Sequence, residues 1–338
     1  MPRIGPYTLR NNVLLAPMAG VTDAPFRAAA ARLGAGLTVA EMTAGKELLE
    51  GRQTERLAGE KAGPGPFAVQ LAGHEPALMA RATEVALSHG AQVIDINMGC
   101  PAKMVTGKLS GAALMRDPAL ARAIVEAVVH AADGAPVTVK MRLGWDDAHR
   151  NAAEIALMAA DAGVAMVTVH GRTRQQFYKG KADWRAVGEV VRTLRAAGHA
   201  IPVIVNGDIV DAATARRALR ESGADGVMVG RAATGRPWLP GEIAETLVPG
   251  SGRPRPSFRE QAAELLRLHA DMVAFHGGKV GVRRARKHLK AALVHWLAEG
   301  AVTEAAAARL REIFLRAESV AAVQDALAAL AEGSRAAA

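Results

Sequence analysis

Residues 13–26 read VLLAPMAGVTDAPF: an apolar run of strand length that leaves through Pro17, Met18, Ala19 and Gly20. A doubly wound sheet that binds a dinucleotide continues its first strand into G-x-G-x-x-G, where glycines bring a helix N-terminus onto the pyrophosphate. That fingerprint is missing here. Seven more apolar runs follow, over residues 37–41, 67–71, 92–97, 137–142, 165–170, 202–206 and 226–229, separated by longer segments of helical period. Such alternation builds βα units around a parallel sheet, and eight units close a TIM (β/α)8 barrel. The expected fold is α/β, a TIM barrel rather than an open sheet, with functional groups at the C-terminal ends of its strands.

Helix signals punctuate these runs. Asp117 before Pro118, and Asp211, read as N-caps, while Gly34, Gly90, Gly163 and Gly223 read as C-terminal stops. After Val248 the text turns to PGSGRPRPSF and then to helical composition. The expected organisation is a barrel over residues 1–248, a linker over 249–257, a small C-terminal all-helical domain over 258–331 and a frayed tail over 332–338.

Half of the 338 residues are hydrophobic, ample for a core, while aromatics make up only 4%, which points away from aromatic stacking as the main binding device. The single cysteine, Cys100, rules out an internal disulfide and makes a reducing cytoplasm the default. The start lacks a secretory signal, and no run of about eighteen apolar residues follows. A soluble cytoplasmic monomer without membrane attachment is expected. Formal net charge is +9, and residues 251–300 hold ten Lys/Arg against four Asp/Glu. A cationic excess concentrated there favours a polyanionic partner.

With all eight strands ending at one mouth, the groups gathered there are Pro17, Met18 and Ala19, then Glu41, Gln70, Asn97 with Cys100, Lys140, His170, Asn206 to Asp208, and Gly230 with Arg231. Lys140 interrupts the strand-like VTVKMRLGW. A buried ammonium needs an anionic partner such as a phosphate or an anionic ring; the plainer alternative is a lysine that snorkels to solvent. His170 reads as a satisfied structural residue or as a cofactor contact. With no H-x-x-x-H, no cysteine pair and no clustered carboxylates, no metal is expected. The turns VNGDI and VGRAATGRPW make Asn206, Gly207, Asp208, Gly230 and Arg231 phosphate and ribityl candidates, because the loops after strands seven and eight of this fold often build a phosphate site. Pro17, Met18 and Ala19 let a flat ring lie against the backbone. Cys100 has two readings, a small hydrophobe near a turn or a thiol held out for chemistry.

Taken together, APMAGVTDAPFR, DINMGCPAK, VKMRLGW, VHGRTR, NGDI, VGRAATGRPW and RARKHL resemble the bacterial tRNA-dihydrouridine synthases, most closely the B-type subfamily, from Ile4 to about Trp296. The resemblance implies tightly bound FMN, NADPH as reductant, and reduction of the C5–C6 bond of a uridine in the tRNA D-loop. It sets Pro17, Met18 and Ala19 beside the isoalloxazine, Gln70 and Lys140 at its edge, and His170, Asn206, Gly207, Asp208, Gly230 and Arg231 on the ribityl and phosphate side. Cys100 corresponds to the proton donor and Asn97 to a base contact. A free thiol titrates near about 8.5, so a protonated thiol is at hand as a general acid near neutrality. For the RNA phosphates, Lys103, Lys108, Arg142, Arg172, Arg174, Lys179 and Lys181 lie on loops expected at the mouth, and GVRRARKHLK carries Arg283, Arg286, Lys287 and Lys290 at helical spacing opposite Val282, Ala285 and Leu289. One departure stands out: Met104 follows Lys103 where many B-type relatives carry a second basic residue. The competing expectations are another FMN barrel oxidoreductase acting on a small molecule, and a non-catalytic RNA-binding regulator.

Overall fold

Aliphatic and β-branched runs form strands where both faces of a sheet are covered, and here they form a ring. The computed structural model describes residues 1–51, 57, 59–107 and 109–333. The strands are β1 (Val13–Leu15), β2 (Leu37–Thr38, resumed at Thr43–Ala44), β3 (Ala68–Ala72), β4 (Val93–Met98), β5 (Val137–Arg142), β6 (Met166–His170), β7 (Val203–Asn206) and β8 (Gly226–Val229). Every neighbour in the ring pairs in parallel and in chain order, with β8 returning to β1. The first piece of β2 pairs with β1, the second with β3, and a bridge from Val39 to Ala68 closes the circle. The chain is a TIM barrel followed by a helical region.

The run expected over residues 37–41 is corrected by the structure, since β2 is broken after Thr38. Bulge-like departures at a barrel rim re-aim side chains. This one brings Met42 to the mouth, where its Sδ accepts from Asn97 Nδ2 at 3.3 Å.

Period two along the strands divides the barrel interior into two levels. Leu14, Leu37, Ala68, Val93, Met166, Ile204 and Met228 make an apolar lower level. Two residues further along the same strands stand Gln70, Asp95 and Asn206, with Asn97 and His170 at four. An N-terminal hairpin, Arg3–Ile4 paired with Tyr7–Thr8, inserts Ile4 and adjacent Leu9 into the lower cluster. That hairpin, absent from the expected elements, plugs the end of the barrel away from the mouth.

The surrounding helices are α1 (Ala24–Arg32), α2 (Pro76–Ser88), α3 (Pro118–Ala131), α4 (Ala152–Asp161), α5 (Trp184–Ala196), α6 (Ala212–Ser222) and α7 (Leu239–Leu247). Asp117 caps α3 by accepting from Leu120 N–H at 3.0 Å. Asp211 forms a capping box with Thr214, and Gly223 closes α6 in the left-handed region. These are the caps expected from sequence.

Residues 249–257 are held against the barrel rather than hanging free. Glu245 accepts from the Gly250 and Gly252 amides, and Asn11 Nδ2 donates to Ser251 O at 2.9 Å. Four helices follow: α8 (Phe258–His276), α9 (Gly278–Ala298), α10 (Glu304–Arg316) and α11 (Val320–Glu332). The last runs to Glu332, one residue into the segment expected to fray. Their core is continuous with that of the barrel shell. Contacts that link them to the β1–α1 region include Arg32 paired with Glu264 at 2.6 Å, His276 Nε2 against Asp23 Oδ2 at 2.8 Å, and His288 stacked on Phe26 with ring centroids 4.6 Å apart. Among the described residues no helix is long and apolar enough to cross a membrane.

Candidate active site

At the C-terminal end of the barrel opens a cavity of about 710 Å³. Its walls include every residue of the expected cofactor set, namely Pro17, Met18, Ala19, Gln70, Lys140, His170, Asn206, Gly207, Asp208, Gly230 and Arg231, together with Asn97, Cys100 and Arg142. Lys103 and Arg174 lie off this lining, Arg283, Arg286, Lys287 and Lys290 are on α9, and Lys108 lies outside the described residues. Among the described residues no three His, Cys, Asp or Glu side chains gather to hold a metal ion.

Cys100 is half-buried on the turn after β4, and an ordered chain of bonds leads to it. Gln70, Asp95 and Thr138 are register partners across β3, β4 and β5. The Asp95 carboxylate, an acceptor only, takes Gln70 Nε2 and Thr138 Oγ1, each at 2.6 Å. Gln70 Oε1 must then face away, where it accepts from Asn97 Nδ2 at 2.7 Å. Asn97 Oδ1 in turn accepts from the Gly99 and Cys100 amides at 3.0 and 2.9 Å. Carboxylate and backbone amides cannot exchange roles, so the orientation of both side-chain amides is fixed from the two ends. Asn97, expected at a base, holds the Cys100 turn through Oδ1, while its Nδ2 is engaged by Gln70 Oε1 and Met42 Sδ. Burial pushes the Asp95 carboxyl up to about 6.

Adjoining this chain, from β5 onward, is a cationic wall. Lys140 Nζ donates to Asn206 Oδ1 at 3.3 Å. Burial, reinforced by Arg142, pushes its ammonium down to about 8. His170 lies well below the ordinary histidine range because it is buried among Lys140, Arg142, Arg172 and Arg231, which leaves the ring neutral at pH 7. Arg142, expected to meet RNA, is only 2% exposed. Its Nε donates to Gly99 O at 2.8 Å and its Nη1 to Thr173 O and Phe177 O at 2.9 Å, so it pins the β6 loop to the Cys100 turn. Arg172 is equally buried and grips Asp208 with both carboxylate oxygens, at 2.7 and 2.9 Å.

The two glycine turns differ physically. Gly207 has φ +110, and a Cβ there would come within 2.8 Å of His170 Cδ2 and Ala182 Cβ, so packing demands glycine. At Gly230 a Cβ would meet nothing nearer than Met18 Sδ at 3.8 Å. Its bare backbone is not required by the protein's own packing and leaves room against the cavity. On the loop after β1 the Met18 amide donates to Thr22 Oγ1 at 2.7 Å, within the turn.

The family described as Dihydrouridine synthase (Dus) matches residues 14–332. The chain belongs to the dihydrouridine synthase family. Among its relatives, the "probable tRNA-dihydrouridine synthase" of Rhodobacter capsulatus is 51% identical over 312 residues, 92% of this chain and 91% of the other. The "tRNA-dihydrouridine synthase B" of Xanthomonas campestris is 49% identical over 288 residues, 85% of each. In solved structures, the old yellow enzyme homologue of Zymomonas mobilis aligns with TM-score 0.51 at 17% identity, over 75% of this chain and 96% of that one. Histamine dehydrogenase from a Rhizobium species aligns with TM-score 0.55 at 16% identity, over 72% and 47%. At such identities the likeness is one of barrel fold alone.

In this dihydrouridine synthase family member the cavity also has walls that the strand ends do not disclose: Met42 from the break in β2, and Phe177 and Tyr178 from the β6 loop. Tyr178 lies under the Arg231 guanidinium, 4.6 Å from ring centroid to Cζ. The signal for the pair was an aromatic doublet in the polar segment QQFYKGK, directly after a strand end.

Proposed function

We propose that the chain reduces the C5–C6 double bond of a D-loop uridine in tRNA to 5,6-dihydrouridine, with FMN as resident cofactor and NADPH as the reductant that renews it. The observation that carries the reading is the sharing of one open cavity by Cys100, the small-residue wall Pro17 to Ala19, Lys140 and the Gly207 and Gly230 turns. The names borne by relatives that cover nearly the whole chain support it.

The residues fit FMN. Gly230 has open space beside its backbone, Arg231 and Lys140 supply cations for a phosphate or an anionic ring, and the Asp208 carboxylate is neutralised by Arg172 and so does not repel an anion. Bound and reduced, FMN supplies the hydride for C6 of the uracil. Cys100 Sγ donates the proton to C5, with Asn97 and Arg142 holding its turn. A uracil is inaccessible inside a stacked helix, so the substrate is an unstacked loop nucleotide. The exposed cations of α9, Lys279, Arg283 and Lys290, suit the RNA backbone and find no counterpart in a small-molecule substrate at the barrel mouth. In this reading residues 1–248 are the catalytic unit, 249–257 the connector and 258–331 the tRNA-binding unit of a cytoplasmic monomer without membrane attachment.

Purified protein should be yellow and release FMN on denaturation, identified by mass, and tRNA from a deletion strain should lack one dihydrouridine. Colourless protein that takes up no FMN, or unchanged tRNA, overturns the reading. The flavin site should also be pH-dependent. Lys140 is charged below about 8 and neutral above, and an anion favours the charged form. FMN retention on dialysis should therefore weaken as pH rises through about 8, by at most about tenfold in affinity per pH unit. Lys140→Met should abolish that dependence.

A further inference from the structure

We propose that Phe177 is a stacking platform for a tRNA base that adjoins the reduced uridine, a role that rests on the tRNA reading above and adds a contact to it.

Large apolar side chains on the outside of this protein are few, and Phe177 is 43% exposed at the lip of the cavity, next to Tyr178 at 45%. Its backbone is held at φ +53, in the left-handed region that costs bulky side chains energy and persists only where surrounding structure enforces it. The enforcement is visible. Phe177 N–H donates to Arg174 O at 3.1 Å, and Phe177 O accepts from buried Arg142 Nη1 at 2.9 Å. The same guanidinium holds Gly99 O through Nε at 2.8 Å, so one rigid group sets the ring's backbone beside the Cys100 turn. Tyr178 meets the ring edge-on, centroids 4.7 Å apart at 83°, which props the Phe177 ring. A strained, braced and exposed aromatic in a protein with so few aromatics is arranged to present a face.

What that face receives follows from its neighbours. Arg231 lies over Tyr178, and Lys179 and Lys181 are exposed on the same loop. Phosphates suit those cations, while a base, whose π-face stacks on an aromatic ring, suits Phe177. A uridine drawn into the cavity leaves a neighbouring base unstacked at the lip, and a platform there would offset that loss. An apolar peptide would find the ring but would gain nothing from the cations.

The test compares Phe177→Leu, Phe177→Tyr and Phe177→Gly in flavin-loaded enzyme. Three quantities are read: kcat/KM on tRNA, NADPH oxidation with a small artificial electron acceptor, and Tm. Leucine keeps apolar bulk but has no π-face, so kcat/KM on tRNA should fall about tenfold to a hundredfold, while tyrosine should remain within about threefold of wild type. Oxidation of NADPH with the small acceptor should not change. Glycine adopts φ +53 freely, so Phe177→Gly should raise Tm or leave it level while losing as much tRNA turnover as leucine. Wild-type rates for Phe177→Leu on tRNA overturn the platform, as does a parallel fall in small-acceptor turnover, which would give the ring to the cofactor site. Failure of the wild-type enzyme itself to modify tRNA would instead overturn the underlying reading, so the two failures are separable.

Discussion

Cys100→Ala should keep its flavin and its NADPH oxidation yet form dihydrouridine about a hundredfold to ten-thousandfold more slowly, the usual range for a lost general acid. The alanine removes only Sγ. The turn around it depends on backbone groups: the residue 100 amide donates to Asn97 Oδ1 at 2.9 Å and its carbonyl accepts from Ala112 N–H at 3.1 Å. Neither bond involves sulfur, so the cavity should keep its shape and the defect should lie in proton delivery. Serine at position 100 keeps a hydroxyl in place of the thiol but is a far weaker acid, and it should restore little of the rate. Mass spectrometry of reacted tRNA under single-turnover conditions reads the outcome directly. Normal product formation by Cys100→Ala would remove the thiol from the proton step.

How much of this site can be read from the chain alone depends on how local its causes are. Strand-end chemistry is local. Period two puts Ala68 with Gln70, Val93 with Asp95 and Asn97, and Ile204 with Asn206 on one face, apolar at the plugged end and polar at the mouth, and such a pattern needs only the order of residues. Capping is local too, so Asp117, Asp211 and Gly223 were legible. By the same logic Asp95 was within reach, since it alternates with Asn97 in VIDINM; a single carboxylate in an apolar run signals a buried acceptor with partners to find.

Non-local causes were hidden. Arg142 looks like a loop cation at a strand end, yet its three acceptors are 31, 35 and 43 residues distant in sequence. Nothing in VKMRLGW shows that the guanidinium is consumed inside the protein. The break in β2 sets Met42 against Asn97, 55 residues away. Likewise the N-terminal hairpin has weak strand composition and exists because the open end of a barrel must be filled. Phe177 owes its exposure and left-handed backbone to the same remote arginine.

The basic face of α9 shows the same distinction and yields the second large effect. At 100° per residue Lys279, Arg283, Arg286, Lys287 and Lys290 fall within about 100° of arc, which by sequence makes them equivalent. The structure separates them. Arg286 Nη2 donates to Ala317 O at 3.2 Å, tying α9 to the end of α10, and Lys287 Nζ donates to Gly20 O on the loop that follows β1. Lys279, Arg283 and Lys290 are exposed. Reversing Arg283 and Lys290 together to Glu should therefore weaken tRNA binding about tenfold to a hundredfold at low salt. It should also flatten the slope of log K against log salt by about 1.4 to 1.8, the share of two phosphate contacts, without loss of flavin. Lys287→Ala should behave differently, because its bond braces the loop bearing Met18 and Ala19: flavin retention should fall more than the salt slope. Filter-binding or fluorescence titrations across salt concentration, read beside the flavin absorbance of each variant, distinguish the two. An unchanged salt slope in the Glu variant would mean that the RNA does not lie along α9, whereas a Lys287→Ala protein that keeps its flavin but loses salt dependence would make Lys287 an RNA contact rather than a brace.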